Sequence, residues 1–168
     1  MSSKQPVIHS EPEPYDKLLD RIAFVFLLLQ FLIPMVMFSS LDDSIPTRFD
    51  SSGEVSSTSS KYTVWILPFV GAFLYGMLWF LNKAPHTFNY PVKITPENAE
   101  FHYRKAVRMM RYTNLICMVM FTFIVWSTVA VGAGLASGLN RVIMTILLML
   151  VFVPVGHHLY VAWKETRS

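Results

Sequence analysis

The chain has 168 residues, of which 53% are hydrophobic and only 15% are charged, whereas about a quarter of the residues in an ordinary soluble domain carry a charge. This composition indicates a membrane protein. The formal net charge of +3 is too small for a nucleic-acid-binding protein, whose affinity depends on many phosphate contacts. The single cysteine, Cys117, excludes an intrachain disulfide and a cysteine zinc cluster.

Four long apolar runs predict an all-α integral membrane protein. The runs are continuous rather than alternating, so strands are disfavoured, and each run is close to the length that crosses a hydrocarbon core. The predicted spans are about 22–41, 62–81, 113–136 and 142–163. They form one membrane domain over residues 22–163, between a disordered tail at 1–21 and a short tail at 164–168.

The distribution of basic residues predicts the orientation of the spans. Eleven of the 14 Lys and Arg residues lie in the two tails and in the loop between spans 2 and 3. The other two loops hold Arg48, Lys61 and Arg141. Cytoplasmic segments carry the excess of Lys and Arg, so both termini and the middle loop are expected in the cytoplasm.

The middle loop contains a predicted basic helix from Pro96 to about Arg111, with Thr95 as its N-cap, and this helix is expected to continue into the third span or to bend toward it. Its apolar and basic residues fall on different faces, so the helix is amphipathic. We expect it to lie at the membrane interface and to contact anionic lipid headgroups, although a flank that only sets the topology explains the same charges. The candidate headgroup contacts are Arg104, Lys105, Arg108 and Arg111.

Small residues recur at four-residue spacing in Ala130, Gly134 and Gly138. This spacing predicts close helix packing, either within the chain or with a partner. The middles of the spans lack Asp, Glu, Lys and Arg, which weighs against an ion-coupled transporter. No motif pairs a nucleophile with a base or groups metal ligands, so neither an enzyme nor a cofactor or metal ion is predicted.

The predicted outer loop, residues 39–61, carries a specific pattern of proline, aromatic and glycine residues. Ile45-Pro46 predicts an extended entry, and Asp50 to Gly53 predicts a turn with a positive φ at Gly53. Long loops without regular structure are often functional, so this loop is expected to bind a ligand or partner protein. The candidate binding residues are Ile45, Pro46, Thr47, Arg48, Phe49, Asp50, Gly53 and Lys61.

This loop resembles the N-terminal domain of unknown function shared by SdpI-type bacterial membrane proteins. The hallmark of that domain is Ile-Pro-x-His-Phe-Asn-x-x-Gly, followed by Ser-Lys before a membrane helix. The corresponding stretches here are Ile45 to Gly53 and Ser60-Lys61. The cytoplasmic segment Asn89, Tyr90 and Pro91 is similar to the connection in short four-span relatives.

Two departures from the hallmark bear on chemistry. Arg48 stands where the family usually has His, and Asp50 stands where it has Asn. A guanidinium is neither a metal ligand nor a titrating base, so a role of that His in metal binding or proton transfer does not carry over. An Arg48–Asp50 ion pair is expected to brace the loop by about 0 to 1 kcal/mol.

The resemblance implies a protein of the bacterial cytoplasmic membrane. The best-known relatives give immunity to a secreted peptide toxin and signal to a cytoplasmic repressor, and they carry a further membrane domain for which this chain is short. The first functional hypothesis is therefore a non-enzymatic sensing or immunity protein whose outer loop binds a peptide ligand or partner. The alternative is an accessory structural subunit of a larger membrane complex. Neither hypothesis involves nucleic acid.

Overall fold

The computed structural model describes residues 5–8, 11–90 and 92–165, without side-chain detail for residues 157–159 and 161–165. Its helices are α1 (Pro14–Met37), α2 (Ile66–Leu81), α3 (Ala99–Gly132) and α4 (Arg141–Glu165). Between α1 and α2 the chain forms an antiparallel hairpin of strands β1 (Ser44–Phe49) and β2 (Val55–Ser60). Short 3-10 helices lie at Phe38–Ser40, Lys61–Trp65 and Pro85–Thr87.

Three helical segments are long and apolar enough to cross a membrane: Pro14–Ser40, Lys61–Leu81 and Ala99–Gly132. They indicate a multi-pass membrane protein. In α4 the apolar segment found within the described residues is Arg141–Gly156, which is shorter than these three segments. The fourth span and the orientation of the chain therefore stay predictions.

The prediction of an entirely helical chain is wrong in the loop between α1 and α2, where the structure has the β-hairpin. Ser44 pairs with Ser60, Ile45 with Ser59, Pro46 with Thr58, Arg48 with Ser57 and Phe49 with Val55. β2 has the sequence Val-Ser-Ser-Thr-Ser-Ser, which lacks the alternating apolar residues that normally identify a strand. The pairing itself, rather than a hydrophobic pattern, stabilises this strand.

The tail predicted as disordered over residues 1–21 is helical from Pro14 onward, so that prediction is wrong for residues 14–21. Proline suits the first helical position because its fixed φ is preorganised and its missing N–H would be unpaired there. The backbone N–H of Glu13 donates to the Asp16 carboxylate at 3.1 Å. This bond gives the backbone N–H of Glu13 a partner at the start of α1.

The predicted basic helix continues directly into the third span, one of the two predicted arrangements, because its residues form the first turns of α3. Residue Thr95 is not the N-cap, and its N–H instead donates to the Asn98 side chain at 2.9 Å before α3 begins at Ala99. The 34 residues of α3 extend about 50 Å, whereas a hydrocarbon core is about 30 Å thick. The first turns of α3 therefore extend beyond the membrane-spanning part.

Helices α1 and α3 lie side by side and run in the same direction. Near the start of both helices, Arg108 contacts Asp16. Further along, the Thr122 hydroxyl donates to the Phe26 carbonyl at 3.0 Å. Past the end of α1, the N–H of Asp42 donates to the carbonyl of Gly132, the last residue of α3, at 2.9 Å. The chain returns through α2, so the hairpin comes to lie at the end of α3.

A buried polar side chain marks the place where α1, α2 and α3 meet. Gln30 of α1 is fully buried and its amide donates to the Met118 carbonyl of α3 at 3.3 Å. A Cβ on Gly71 of α2 would collide with the Gln30 amide oxygen. A small residue lets neighbouring backbones approach closely inside a membrane, and here it admits the Gln30 side chain between the helices.

The starts of α1 and α3 are joined by a set of ion pairs that we call the ion cluster. Asp16 is almost completely buried, with 2% of its side chain exposed. Its carboxylate lies 2.9 Å from Nε of Arg108, whose Nη2 lies 2.7 Å from Glu13. The cluster consists of Glu13, Asp16 and Asp20 on the α1 side and of Arg104, Arg108 and Arg111 on α3.

Replacing Arg108 with Ala should lower the free energy of unfolding by about 3 kcal/mol, because the buried Asp16 carboxylate loses its main partner. The measurement is denaturant unfolding in micelles followed by circular dichroism. Arg21→Ala is the matched control, since Arg21 is an exposed α1 residue and its change should stay within about 0.5 kcal/mol. Equal effects of the two variants would contradict the role of the ion cluster.

Stability should fall when the solution is acidified. The Arg108 guanidinium holds the pKa of the Glu13 carboxyl below its ordinary value of 4.5. A lowered pKa in the folded state stabilises the fold above the ordinary value, and this contribution is lost as the pH falls through the lowered value. Glu13→Gln should therefore show a shallower loss of melting temperature than the wild type between about pH 6 and pH 3. Parallel profiles would refute this contribution of Glu13.

Candidate functional site: the docked β-hairpin

The hairpin is attached to the helices through β1. Ile45 is fully buried in a cluster with Leu41, Val125 and Val129. A Cβ on Gly132 would lie 2.7 Å from Cγ2 of Ile45, which is closer than real Cβ contacts allow. The hairpin therefore reaches this depth only because α3 ends in glycine.

The turn of the hairpin is a polar loop organised by Asp50. Its carboxylate accepts hydrogen bonds from the N–H of Ser52 at 2.8 Å and of Glu54 at 3.0 Å. The Ser52 hydroxyl also donates to this carboxylate. The hydrogen bond from the Ser52 side chain, followed by those from the backbone, holds the pKa of the Asp50 carboxyl below its ordinary value. Gly53 has φ of 88°, so the predicted turn and its positive φ are confirmed.

The predicted ion pair between Arg48 and Asp50 is wrong, because the described residues form no such pair. The Asp50 carboxylate is occupied by the hydrogen bonds of the turn. Arg48 lies on β1 and is exposed. Within the described chain this guanidinium has no carboxylate partner, so an exposed cation is available on the hairpin.

The tip of the hairpin is docked on the loop between α3 and α4. The N–H of Leu139 donates to the carbonyl of Gly53 at 2.9 Å. A Cβ on Gly53 would collide with the Leu139 carbonyl, and a Cβ on Gly138 would collide with the Gly53 carbonyl. Two glycines thus permit backbone-to-backbone contact between the turn and this loop.

The open end of the hairpin is closed by Lys61 and Asp43. Their backbones are joined by a hydrogen bond of 3.0 Å from the Lys61 N–H, and their side chains by an ion pair of 2.9 Å. The Lys61 ammonium lies 5.6 Å from the centre of the Phe38 ring and holds the pKa of the Asp43 carboxyl below its ordinary value. Lys61, predicted as a binding residue, has a role in bracing the hairpin.

The structure separates the remaining predicted binding residues into buried and exposed positions. Pro46 is buried with Ile45, whereas Thr47 is exposed and Phe49 is half-buried. The hydroxyls of Thr47 and Ser57 lie 3.0 Å apart across the two strands. The exposed surface of β1 therefore centres on Thr47 and Arg48.

A mostly apolar groove of about 320 Å³ lies beside β1, where the hairpin meets α2 and α3. Its threonine side chains supply hydroxyl groups to an otherwise apolar wall. The lining residues are Ile45, Pro46, Thr47, Thr63, Val64, Ile66, Leu67, Ile124, Val125 and Thr128.

The predicted small-residue packing stripe is corrected by the structure. Ala130 is buried within α3, but Gly134 lies beyond the end of the helix with φ of 70°. The N–H of Leu135 donates to the Ala130 carbonyl at 2.7 Å and the N–H of Gly134 to the Val131 carbonyl at 3.0 Å, which is the Schellman pattern of a helix end. Gly134 therefore caps α3, and Gly138 packs against the hairpin.

The residues predicted to contact lipid headgroups lie at the other end of α3. Arg104, Arg108 and Arg111 belong to the ion cluster, where carboxylates already neutralise them. The Lys105 ammonium lies 3.9 Å from the centre of the Phe101 ring. Contact of these residues with anionic headgroups stays a prediction. The acidic side chains of the ion cluster weaken the attraction between the three arginines and anionic lipids.

In the motif predicted to be cytoplasmic, Tyr90 lies near the ion cluster rather than near the hairpin. The Tyr90 hydroxyl donates to the Pro85 carbonyl at 3.0 Å, and its ring lies 5.5 Å from that of Tyr103. Burial raises the pKa of Tyr90. Asn89 is exposed, and Pro91 lies outside the described residues. Through these contacts Tyr90 stabilises the connection between α2 and α3.

Sequence reasoning missed three residues that position the hairpin and its support: Asp16, Gln30 and Gly132. Asp16 falls within the predicted disordered tail, although Glu-Pro-x-Asp is a recognisable helix start. Gln30 stands alone as a polar residue within an apolar run, which is the available signal for a helix contact in a membrane. For Gly132 the sequence holds no signal that distinguishes it from Gly134.

Residues 25–72 match the model of DUF1648, a domain of unknown function. No curated protein and no solved structure matches the chain. The matched segment contains most of α1, the whole hairpin and the beginning of α2, so the hairpin lies within the part of this chain that is similar to the domain.

Replacing Gly138 with Ala should detach the hairpin tip, because the new Cβ meets the backbone of Gly53. We expect a loss of about 1 to 3 kcal/mol in unfolding free energy and faster amide hydrogen exchange in residues 50–55. The matched control is Gly76→Ala in α2, where a Cβ meets nothing within 4 Å. Unchanged exchange in Gly138→Ala would contradict the docked arrangement.

Proposed function

We propose that this chain is a non-enzymatic membrane sensing or immunity protein whose hairpin binds an extracytoplasmic ligand or partner. The observation that supports this proposal most directly is that Arg48 is exposed on a hairpin that several contacts hold in place. Ile45, Gly53 and Lys61 hold the hairpin, whereas Arg48 has no ion-pair partner in the described part of the chain. A rigid support that presents an unpaired cation is the arrangement expected of a binding surface.

The apolar groove beside β1 supports the same proposal. A ligand with an apolar segment and an acidic group would place the first in the groove and the second near Arg48. Ile66, which lines the groove from α2, is 61% exposed. A hydrophobic peptide that carries a carboxylate combines these properties.

The family assignment belongs to this proposal. The Ile-Pro-Thr-Arg-Phe-Asp pattern at residues 45–50 supports kinship with the SdpI-type proteins. The match of residues 25–72 to DUF1648 places this pattern within a domain of unknown function. In that interpretation the protein lies in a bacterial cytoplasmic membrane, with four spans and with the hairpin outside. Arg48 in place of His then exchanges a titrating side chain for a permanent cation.

Helix α4 favours a second candidate, an accessory subunit of a larger membrane complex. Its described side chains from Val142 to Gly156 include no buried residue, and large apolar side chains such as Met149 and Phe152 are each 64% exposed. A helix that is apolar on all sides faces lipid or another protein. In the second candidate α4 is the contact surface and the hairpin has a bracing role.

Reversing the charge of Arg48 should abolish protection. In cells that depend on this protein for resistance to secreted membrane-active peptides, Arg48→Glu should lower the inhibitory peptide concentration at least tenfold, because an acidic group on the peptide is then repelled. Lys17→Glu is the matched control, since Lys17 is an exposed cation on α1. Immunoblotting of membranes must show equal amounts of all three proteins.

Two results would reject the sensing proposal. The first is full protection by Arg48→Glu at equal membrane abundance. The second is a large partner that copurifies with the wild-type protein in fixed ratio and is released by Phe152→Lys but not by Arg48→Glu. The second result would establish the accessory-subunit function.

A further inference from the structure

A cavity of about 470 Å³ lies beside the ion cluster, at the end of the helices away from the hairpin. Its walls come from the segment before α1, from α1 itself, from the end of α2 and from the start of α3. The volume falls within the range of about 300 to 1,000 Å³ that is usual for small-ligand sites. The cavity is therefore large enough to hold a ligand of its own.

The walls of this cavity carry acidic and basic side chains in equal number. The acidic residues are Glu11, Asp16 and Asp20, and the basic residues are Lys83, Arg104 and Arg111. A lining with balanced charges gives no net attraction to a simple anion or to a simple cation. It is complementary to a ligand that carries both charges.

Two of these charges and one buried oxygen atom are not used by the fold. Glu11 and Lys83 are exposed, and neither forms an ion pair within the part of the chain that the structure describes. The Lys83 ammonium instead lies 3.5 Å from the centre of the Trp79 ring. The side-chain oxygen of Asn82 is buried and accepts no hydrogen bond from the described residues. A complementary ligand offers an anionic group to Lys83 and N–H donors to Glu11 and Asn82.

The cavity lies at the level where lipid headgroups are expected. Trp79 belongs to the last turn of α2, and Asn82 and Lys83 directly follow the apolar segment Lys61–Leu81. Tryptophan is typical of the boundary between hydrocarbon and water because its ring is apolar and its N–H is polar. Trp79 and Phe80 are 47% and 68% exposed, so lipid chains have apolar surface to contact beside the cavity.

We propose that this cavity binds the headgroup of a zwitterionic aminophospholipid of the phosphatidylethanolamine type. The phosphate pairs with Lys83, and the primary ammonium donates to Glu11 and to the side-chain oxygen of Asn82. A phosphatidylcholine headgroup has no N–H to donate, and a phosphatidylglycerol headgroup has no cation to pair with Glu11. Both of these lipids should therefore bind more weakly.

Native mass spectrometry of the full chain tests this site. The purified protein in detergent is titrated with phosphatidylethanolamine, phosphatidylcholine or phosphatidylglycerol that carry the same acyl chains. The wild type should bind phosphatidylethanolamine about fivefold more tightly than it binds either other lipid, because this headgroup alone pairs with all three groups. Lys83→Gln should weaken this binding by about fivefold. Lys93→Gln, which changes an exposed lysine of the same connection, is the matched control and should leave the binding unchanged.

A second variant tests the hydrogen bond to Asn82. Asn82→Leu removes the acceptor at similar side-chain volume, so it should lower the preference for phosphatidylethanolamine over phosphatidylcholine by about threefold. The affinity for phosphatidylglycerol should not change.

Three results would overturn the proposal. They are equal affinities of the wild type for the three lipids, equal effects of Lys83→Gln and Lys93→Gln, and full displacement of the lipid by an equal concentration of free glycerophosphoethanolamine. The last result would show that a soluble headgroup compound, rather than a lipid, occupies the cavity. None of these measurements involves the hairpin, so failure here leaves the proposed sensing function standing.

Discussion

The arrangement of the whole chain depends on the ion pairs that fix the start of α1 beside the start of α3. Asp16 and Arg108 are 92 positions apart in the chain, yet their side chains lie 2.9 Å apart. Burying a carboxylate is costly unless a cation and further hydrogen bonds accompany it, so the two helices cannot slide past each other without exposing or isolating Asp16. The parallel orientation of α1 and α3 follows from this constraint.

Because α1 and α3 are parallel, their C-terminal ends lie together. The hairpin packs against the end of α3 through Ile45. The buried Gln30 holds the third helix against the pair, and Ile45 packs over Gly132 where α3 ends. The turn then meets the next loop through Gly53 and Gly138. The protein thus has two polar ends with different properties: one in which acidic and basic side chains neutralise each other, and one that presents Arg48.

The sequence predicts the elements of this fold better than it predicts their contacts. Apolar runs locate α1, α2 and α3, and Asp50 to Gly53 predicts the turn because its chemistry is local. β2 is missed because serine carries no strand signal, and the ion cluster is missed because basic residues near a span are equally expected from topology alone. The role of Gly138 depends on a loop that approaches from elsewhere in the chain, which no local pattern reveals.

Cysteine labelling with a membrane-impermeant maleimide tests the parallel arrangement most directly. Single cysteines replace Glu11, Glu54 and Glu97, three exposed residues that lie before α1, in the hairpin and before α3. In sealed vesicles of one orientation, the cysteines at positions 11 and 97 should react together, and the cysteine at position 54 should react only when the membrane is opened or inverted. Reaction of positions 11 and 97 from opposite sides would contradict parallel α1 and α3 joined by the ion cluster.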